Sequence, residues 1–215
     1  MTSIIARSGD VSAGIKPNRP SWKDMSKNYM GEDVSRETLY PMISAQLVRL
    51  YQENDKAWEN TCAIRMSYAL NRSGIKLPSE TSPKGGTLKG DDGRYYWIRV
   101  RDLKKYLRDR FRDGDVEYEL SPITHRSEMP KRAEQARENI IRKIQGRHGI
   151  IVFDVKGWDG ATGHFTLWNG SDLVYVGDGY HNDDTTTAYY FWFAQFNEKE
   201  QVAVQTVKVT FWELK

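Results

Sequence analysis

The sequence predicts an α+β protein in which helices from the first half of the chain pack on an antiparallel sheet from the second half. Two observations lead to this fold class. Up to about residue 144, apolar residues recur every three or four positions, which is the spacing of one helix face. Beyond residue 149 they form short β-branched and aromatic runs separated by turn residues, which is typical of strands that follow one another in sequence.

Four helices are predicted in the first half of the chain. Each has its apolar residues on one face, and the bounds are about 36–53, 62–72, 103–111 and 133–144. Pro41 falls in the first turn of the first helix, where a missing N–H is tolerated. Asn60 and Thr61 are available to cap the second helix, and Ser73-Gly74 ends it. Residues 76–94 are rich in turn formers and predict a long surface loop.

The second half contains five predicted strands. Their bounds are about 149–155, 163–169, 173–177, 187–196 and 202–213. The aromatic run 189–193 within the fourth strand fits either a core strand or the wall of a groove. Residues 1–18 show no hydrophobic period and predict a flexible extension ahead of one domain, residues 19–215.

Composition excludes several classes of protein. Of 215 residues, 39% are hydrophobic and 12% aromatic, which is enough for a buried core and argues against general disorder. The apolar runs are too short to span a membrane, and no secretory signal peptide is recognisable at the N-terminus. The net charge of +3 is well mixed, and the basic residues between 99 and 112 alternate with aspartates, so we expect no nucleic-acid site. A single cysteine excludes an internal disulfide and a multi-cysteine metal site.

Cys62 is the strongest candidate for chemistry. It falls in the first turn of a predicted helix, where free N–H groups and the helix dipole stabilise a thiolate and lower the thiol pKa. A backbone N–H at the same place can stabilise the oxyanion of a tetrahedral intermediate. The alternative is that Cys62 is a small buried apolar residue, as lone cysteines often are.

A thiolate nucleophile needs a base, and His164 is the best placed histidine. It opens a predicted strand directly after Gly163, and strand alternation puts Thr166 on the same face. We expect His164 to hold the thiolate as an ion pair, although a buried core histidine is the alternative. The other three histidines fall in a loop, at a helix end and in a polar turn: His125, His148 and His181.

A carboxylate would orient the imidazole of the base. Asp178 is favoured, because a strand that returns from the Asn169-Gly170 turn could bring it level with His164. Asp172, beside that turn, and Asp159, in the loop before His164, remain competitors.

Three further residues are candidates for substrate binding. Trp158 and Trp168 flank the histidine and could pack against a sugar or a peptide at a groove rim. Arg65 lies one turn into the cysteine helix and could bind a substrate carboxylate. Core packing for the two tryptophans and a solvated or salt-bridged position for Arg65 are the alternatives.

Two sequence blocks resemble the type VI secretion amidase effectors of the fourth family. One runs from Asn60 to Asn71 and the other from Gly157 to Gly170. Arg19-Pro20-Ser21-Trp22 and Phe211-Trp212 resemble the usual start and end of the family, so the resemblance covers the chain from about Arg19 onward. It implies an NlpC-type, papain-like cysteine peptidase fold, in which residues 19–215 form a single catalytic amidase domain.

The resemblance also implies an activity and a site. The family's nucleophile falls on Cys62, its base on His164 and its aspartate on Asp178. Such enzymes hydrolyse peptidoglycan stem peptides between γ-D-glutamate and meso-diaminopimelate, and need no metal or cofactor. They are made in the cytoplasm without a signal peptide, secreted by type VI machinery into a rival's periplasm, and blocked by a cognate immunity protein.

The sequence departs from the family in three places, one of them the extra N-terminal segment before Arg19, and two other functions remain open. Val176 and Tyr180 stand where family members often have two cysteines around the aspartate, and much of the stretch 185–205 is extra. The first alternative is another papain-like amidase or acyltransferase, since the same catalytic residues serve different acyl donors. The second is a non-catalytic module that binds cell wall or nucleic acid.

Overall fold

The computed structural model describes residues 5–9, 11–14, 19–31, 33–79, 86–174 and 181–215. Its architecture is α+β, as predicted: one five-stranded antiparallel sheet lies between helices. Within the described ranges, each helix is too short or too polar to cross a lipid bilayer.

Seven α-helices are present in the described part of the chain. They are α1 (Trp22–Asn28), α2 (Arg36–Leu39), α3 (Ala45–Glu53), α4 (Cys62–Arg72), α5 (Val100–Phe111), α6 (Met129–Ala136) and α7 (Arg142–Ile144). A π-helical turn, Arg137–Ile141, joins α6 to α7, so the helix predicted over 133–144 is present but begins earlier and contains this turn. Two short 3₁₀ helices span Lys56–Trp58 and Arg126–Glu128.

Nine strands in three sheets are found among the described residues. They are β1 (Ile5–Ser8), β2 (Val11–Gly14), β3 (Thr87–Lys89), β4 (Tyr95–Trp97), β5 (Val116–Glu119), β6 (His148–Lys156), β7 (Gly163–Trp168), β8 (Ala194–Phe196) and β9 (Val202–Leu214). The main sheet has the order β5-β9-β6-β7, and β8 also pairs with β9. The strand β7 therefore lies at one edge of the main sheet, and two hairpins, β1–β2 and β3–β4, stand apart from it.

The two faces of the main sheet support separate cores. Phe165 and Leu167 of β7 pack with α1, α4 and α5 on one face. Trp168 of β7 packs on the other face with α6, the π-helical turn and the aromatic residues 189–193. The strand alternation predicted around His164 is thus confirmed, because successive side chains of β7 enter different cores.

Helix α4 is enclosed on all sides. Ten of its eleven residues are buried. Met66 and Leu70 face the sheet, whereas Ile64 and Tyr68 face a third core built with α2, α3 and the β3–β4 hairpin. A helix packed between two layers has a fixed position, which fixes the residue at its N-terminus as well.

The helix predicted over 36–53 is wrong in one respect, because it is broken at Pro41. The chain forms α2 and then a turn over residues 40–43, and α3 begins only after Ser44. The Ser44 hydroxyl caps α3 by accepting a hydrogen bond from the Leu47 N–H at 3.0 Å. Pro41 has no N–H for a helical bond to residue 37, so the short capped helices replace the single long one.

Other differences concern short elements. Residues 76–94 include the strand β3, and only 194–196 of the strand predicted over 187–196 are extended. The strand predicted over 173–177 is represented by a single bridge, Trp168 to Leu173, and residues 175–177 lie outside the described ranges. Within the predicted N-terminal extension, the backbones of β1 and β2 pair as a hairpin. These short pairings carry little periodicity, so the sequence did not predict them.

Candidate active site

The N-terminus of α4 meets the edge strand β7 at Cys62. The Phe165 N–H donates a hydrogen bond to the Cys62 sulfur. The Phe165 carbonyl accepts one from the Tyr29 hydroxyl at 3.4 Å. Both backbone groups of Phe165 thus point away from the sheet, and the sulfur occupies part of the place that a further strand would take. This contact puts the thiol beside the residue that follows His164.

The electrostatic environment of the sulfur differs from the expected one. Cys62 is only 7% exposed, and this burial raises the pKa of its thiol. The N–H groups of Phe165 and Ala63 and the charge of Arg65 act in the opposite direction, but burial has the larger effect. The prediction of a lowered pKa is therefore wrong for this site at rest, although the predicted N–H donors are present.

The environment of His164 favours the neutral form of its imidazole. It lies opposite Phe153 in the β6–β7 ladder and is 5% exposed. Burial, and to a lesser extent the charges of His181 and Arg65, lower the pKa of His164 to about 3. A raised thiol pKa and a lowered imidazole pKa favour a neutral pair at rest instead of the expected ion pair.

Gly163 allows the two strands to approach closely at this point. A Cβ atom added there would lie 2.1 Å from the Phe153 carbonyl oxygen, which is shorter than any normal contact. The absence of a side chain at residue 163 therefore lets β7 begin at Gly163 close to β6, with His164 opposite Phe153.

The imidazole of His164 belongs to a stack of three rings. It lies parallel to the Tyr190 ring, with centroids 4.4 Å apart and an angle of 10°. His181 stacks on Tyr190 as well, at 4.3 Å and 23°. His181 Nδ1 donates to the Ala188 carbonyl at 2.7 Å, which leaves Nε2 as the acceptor nitrogen of the neutral ring.

These rings belong to an irregular segment, residues 181–196, which we call the cleft wall. Thr206 of β9 anchors the segment: its hydroxyl donates to the Tyr190 carbonyl at 2.8 Å, and its N–H donates to the Phe193 carbonyl at 3.0 Å. Arg132 of α6 donates to the Trp192 carbonyl at 3.2 Å from the other side. The wall is thus held by hydrogen bonds to β9 and α6 more than by strand pairing.

A cleft of about 470 Å³ opens between the cleft wall and the N-terminus of α4. Cys62 and His164 both line it. Trp158 lines it too, and its ring packs against Phe193 at 5.5 Å between centroids. The structure therefore brings three sequence-predicted residues to one cleft. A narrower cavity of about 170 Å³ shares Cys62 and Gly163 with this cleft.

Two predicted substrate-binding residues lie elsewhere. Arg65 is 1% exposed, and its guanidinium donates to the Thr61 hydroxyl at 2.8 Å and to the Gly31 carbonyl at 2.6 Å. Trp168 is also 1% exposed, and its indole N–H donates to the Ile144 carbonyl at 3.0 Å. Burial keeps both side chains from a ligand in the cleft, so substrate binding by Arg65 and Trp168 is not supported.

The predicted orienting carboxylate cannot be compared with the structure, because Asp178 lies outside the described residues, as do Val176 and Tyr180. Of its competitors, Asp172 accepts a hydrogen bond from the Leu173 N–H at 2.7 Å, as expected of a turn residue, and burial raises its pKa. Asp159 is exposed.

The sequence analysis did not identify His181 and Tyr190 as site residues. His181 was interpreted as part of a polar turn, and a strand was expected at Tyr190. The only signal was the aromatic run 189–193, for which a groove wall was one of two interpretations. The structure combines both: Tyr190 and Phe193 line the cleft, whereas Phe191 packs in the core.

The chain is similar in fold to solved structures of a type VI secretion effector. The chain is 26% identical to the type VI effector Tae4 of Enterobacter cloacae in complex with its immunity protein Tai4, with a TM-score of 0.61 over 92% of this chain and 100% of that one. Tae4 of the same organism alone gives 25% identity and a TM-score of 0.59 over 94% and 100% of the two chains. The Tae4/Tai4 system of Salmonella typhimurium gives 26% and 0.56 over 92% and 100%.

Comparison of the sequence with curated proteins finds no match. Comparison with family models does find one. The family model described as type VI secretion system (T6SS) amidase effector protein 4, or Tae4, matches residues 58–212, a range that includes Cys62 and His164. The chain therefore belongs to the Tae4 family of type VI secretion amidase effectors.

Proposed function

We propose that the chain is a cysteine amidase that cleaves peptidoglycan stem peptides between γ-D-glutamate and meso-diaminopimelate. The observation that carries this proposal is the contact between the Cys62 sulfur and the β7 backbone beside His164, in a cleft lined by both residues. Membership of an amidase effector family supports the reaction type. The bond itself is inferred from the resemblance to this family.

The mechanism begins with a neutral pair. His164 removes the Cys62 proton as the sulfur attacks the γ-glutamyl carbonyl and the C–S bond forms. The Cys62 N–H, at the helix N-terminus, stabilises the resulting oxyanion. The imidazolium then protonates the diaminopimelate nitrogen, the C–N bond breaks, and the free amine leaves. Water then attacks the thioester carbonyl, gives its proton to His164, and displaces the sulfur, which recovers that proton as a thiol.

Asp178 is the residue that we propose to orient the His164 ring and to stabilise its cation. Tyr190 supports the same ring from one face, because the two rings are parallel at 4.4 Å. Together they would hold one imidazole nitrogen toward the sulfur throughout the reaction.

The biological setting that we propose is attack on a rival bacterium. A type VI machine delivers the enzyme to the rival's periplasm, where peptidoglycan is exposed. The producing cell protects itself with a cognate immunity protein, as the Tae4–Tai4 complexes of Enterobacter cloacae and Salmonella typhimurium suggest. We expect that protein to cover the cleft at Cys62 and Trp158.

Digestion of purified sacculi tests the activity. We expect new peptides that end in D-glutamate and an equal amount of newly free diaminopimelate amine, both identified by mass spectrometry. The Cys62→Ala variant should lose about 10⁴-fold in rate, because no nucleophile remains, and should keep its melting temperature. Its periplasmic expression should be harmless to the host. Undiminished toxicity of Cys62→Ala would favour a binding module, and turnover of another amide or ester with intact stems would favour a different amidase or acyltransferase.

A further inference from the structure

Two cavities meet at the proposed nucleophile. Asn60, Cys62 and Gly163 line both the wide cleft of about 470 Å³ and the narrow cavity of about 170 Å³. The narrow cavity has room for roughly six water molecules, which corresponds to a single amino-acid residue and not to a disaccharide. A peptide that crosses Cys62 therefore enters both cavities, and the narrow one has room for the single residue next to the scissile bond.

The position of the general acid fixes the direction of that peptide. The leaving nitrogen must lie close to the imidazole that protonates it. Among the described residues, His164 lines the wide cleft and not the narrow cavity. The diaminopimelate side of the scissile bond therefore belongs in the wide cleft, and the γ-D-glutamyl side in the narrow cavity.

The charged residues that line the narrow cavity, among those the structure describes, are cationic. Arg99 and Arg101 line it, from the residue before α5 and from its first turn. The carboxylate of Asp102 lies 3.7 Å from Arg99 and 3.4 Å from Arg101, so two positive charges face one negative charge. The Arg101 side chain is 74% exposed and is therefore free to reorient toward a ligand.

The wide cleft has the opposite charge. Of the described residues, Glu37 and Glu59 line it together with Arg36, which gives two carboxylates against one guanidinium. Glu37 stays ionised near neutral pH, because a hydrogen bond from the Tyr51 hydroxyl lowers its pKa to about 2. Diaminopimelate carries a free ammonium group beside its carboxylate, and the charge of the wide cleft suits that ammonium group, whereas the narrow cavity suits a carboxylate.

We propose that Arg101, with Arg99, binds the free α-carboxylate of the γ-D-glutamyl residue and so makes the enzyme specific for stems in which that carboxylate is not amidated. The inference rests on the proposed function. A γ-linked glutamate keeps its α-carboxylate, which lies a short aliphatic chain away from the carbonyl that Cys62 attacks. A guanidinium recognises a carboxylate through paired hydrogen bonds, and an amide cannot replace it as an acceptor of equal strength.

Three synthetic stems test this inference. One is L-Ala-γ-D-Glu-meso-diaminopimelate, the second has D-isoglutamine in place of D-glutamate, and the third is amidated only on diaminopimelate. We expect the wild-type enzyme to prefer the first and third stems over the second. Arg101→Gln should lower kcat/KM on those two stems roughly tenfold and leave the second stem unchanged.

Lys105→Gln is the matched control. Lys105 lies on the same helix, is 78% exposed, pairs with Asp109 at 2.8 Å, and lines neither cavity. The Lys105→Gln substitution also removes one positive charge, and it should leave kcat/KM on all three stems unchanged. The inference is overturned if Arg101→Gln lowers the rates on all three stems alike. It is also overturned if the wild-type enzyme cleaves the isoglutamine stem as fast as the glutamate stem, or cleaves the stem with amidated diaminopimelate most slowly. Cleavage of no stem by the wild-type enzyme would instead remove the proposed function, and this inference with it.

Discussion

The two sides of the cleft are built in different ways. Cys62 and His164 lie on regular elements, since Cys62 begins a helix with ten buried residues and His164 is the second residue of a strand paired along its whole length with β6. The cleft wall contains only a three-residue strand and is held by hydrogen bonds and ring contacts. The backbone thus fixes where the reactive residues lie, whereas irregular structure fixes the plane of the imidazole.

The largest expected effect is on the free energy of unfolding, on substitution of Arg132, which holds the cleft wall to α6 by a hydrogen bond. Its guanidinium is 1% exposed and donates to the carbonyls of Trp192, Ser121 and Thr206. Arg132→Leu leaves these carbonyls without their donors, and we expect a loss of about 3 kcal/mol in the free energy of unfolding. Urea denaturation followed by tryptophan fluorescence measures it.

Arg142→Leu is the control for this prediction. Arg142 lies on the same run of helix, but its side chain is 69% exposed and pairs with Glu138 at the surface. We expect a change below about 0.5 kcal/mol. Equal unfolding curves for Arg132→Leu and Arg142→Leu would mean that the wall is held by other contacts.

The next effect concerns Tyr190, the ring that joins the cleft wall to His164. Tyr190→Ala removes the stacking partner of His164 but keeps the backbone bond to Thr206, so the imidazole loses its orientation. We expect kcat on stem peptides to fall about 50-fold, which is part of what general acid–base catalysis contributes. Tyr190→Phe keeps the ring and should stay within about threefold of the wild type. A large loss in Tyr190→Phe would assign the effect to the hydroxyl instead of the stack.

The smallest effect is the pH dependence of stability due to His164. Its pKa is about 3 in the folded protein and 6.5 when unperturbed, so below pH 6.5 the unfolded chain takes up a proton that the folded protein does not. Stability is therefore lost as the pH falls, by about 2 kcal/mol between pH 7 and pH 5. Over the same pH interval, the free energy of unfolding of His164→Asn should fall by about 2 kcal/mol less than that of the wild type. Urea midpoints at the two pH values measure the difference. Burial lowers the pKa of His181 as well, so both proteins keep some slope.

The regular side of the cleft is the part that the sequence predicts. Helix α4 matches the predicted bounds 62–72, and β7 differs by one residue from the predicted 163–169. Both follow from local periodicity and from turn residues at their ends. Pro41 marks the limit of this reasoning, because its position was compatible with a helix start, whereas the break depends on the Ser44 cap that follows it.

The irregular side could not be derived in this way. His181 and Tyr190 meet His164 only because β9 and α6 hold the cleft wall, and these elements are distant in sequence. Arg65 is the opposite case, a residue that was predicted to bind substrate but is buried away from the cleft. Its charge suggested a ligand, but its helix position is covered by residues 30–31, whose carbonyls accept its hydrogen bonds. Charge in a sequence does not reveal which loop will cover it.

The anchoring of the cleft wall on Thr206 has a consequence for assembly during synthesis. Among the described residues, β9 follows the other strands in the sequence and is the strand that pairs with β8. While a ribosome is still translating β9, α4 and the β6–β7 hairpin have already been made, but Tyr190, which stacks on His164, has no strand to dock on. A nascent chain without β9 therefore lacks the anchor of the cleft wall, and the cleft at Cys62 and His164 is completed only after β9 has been released.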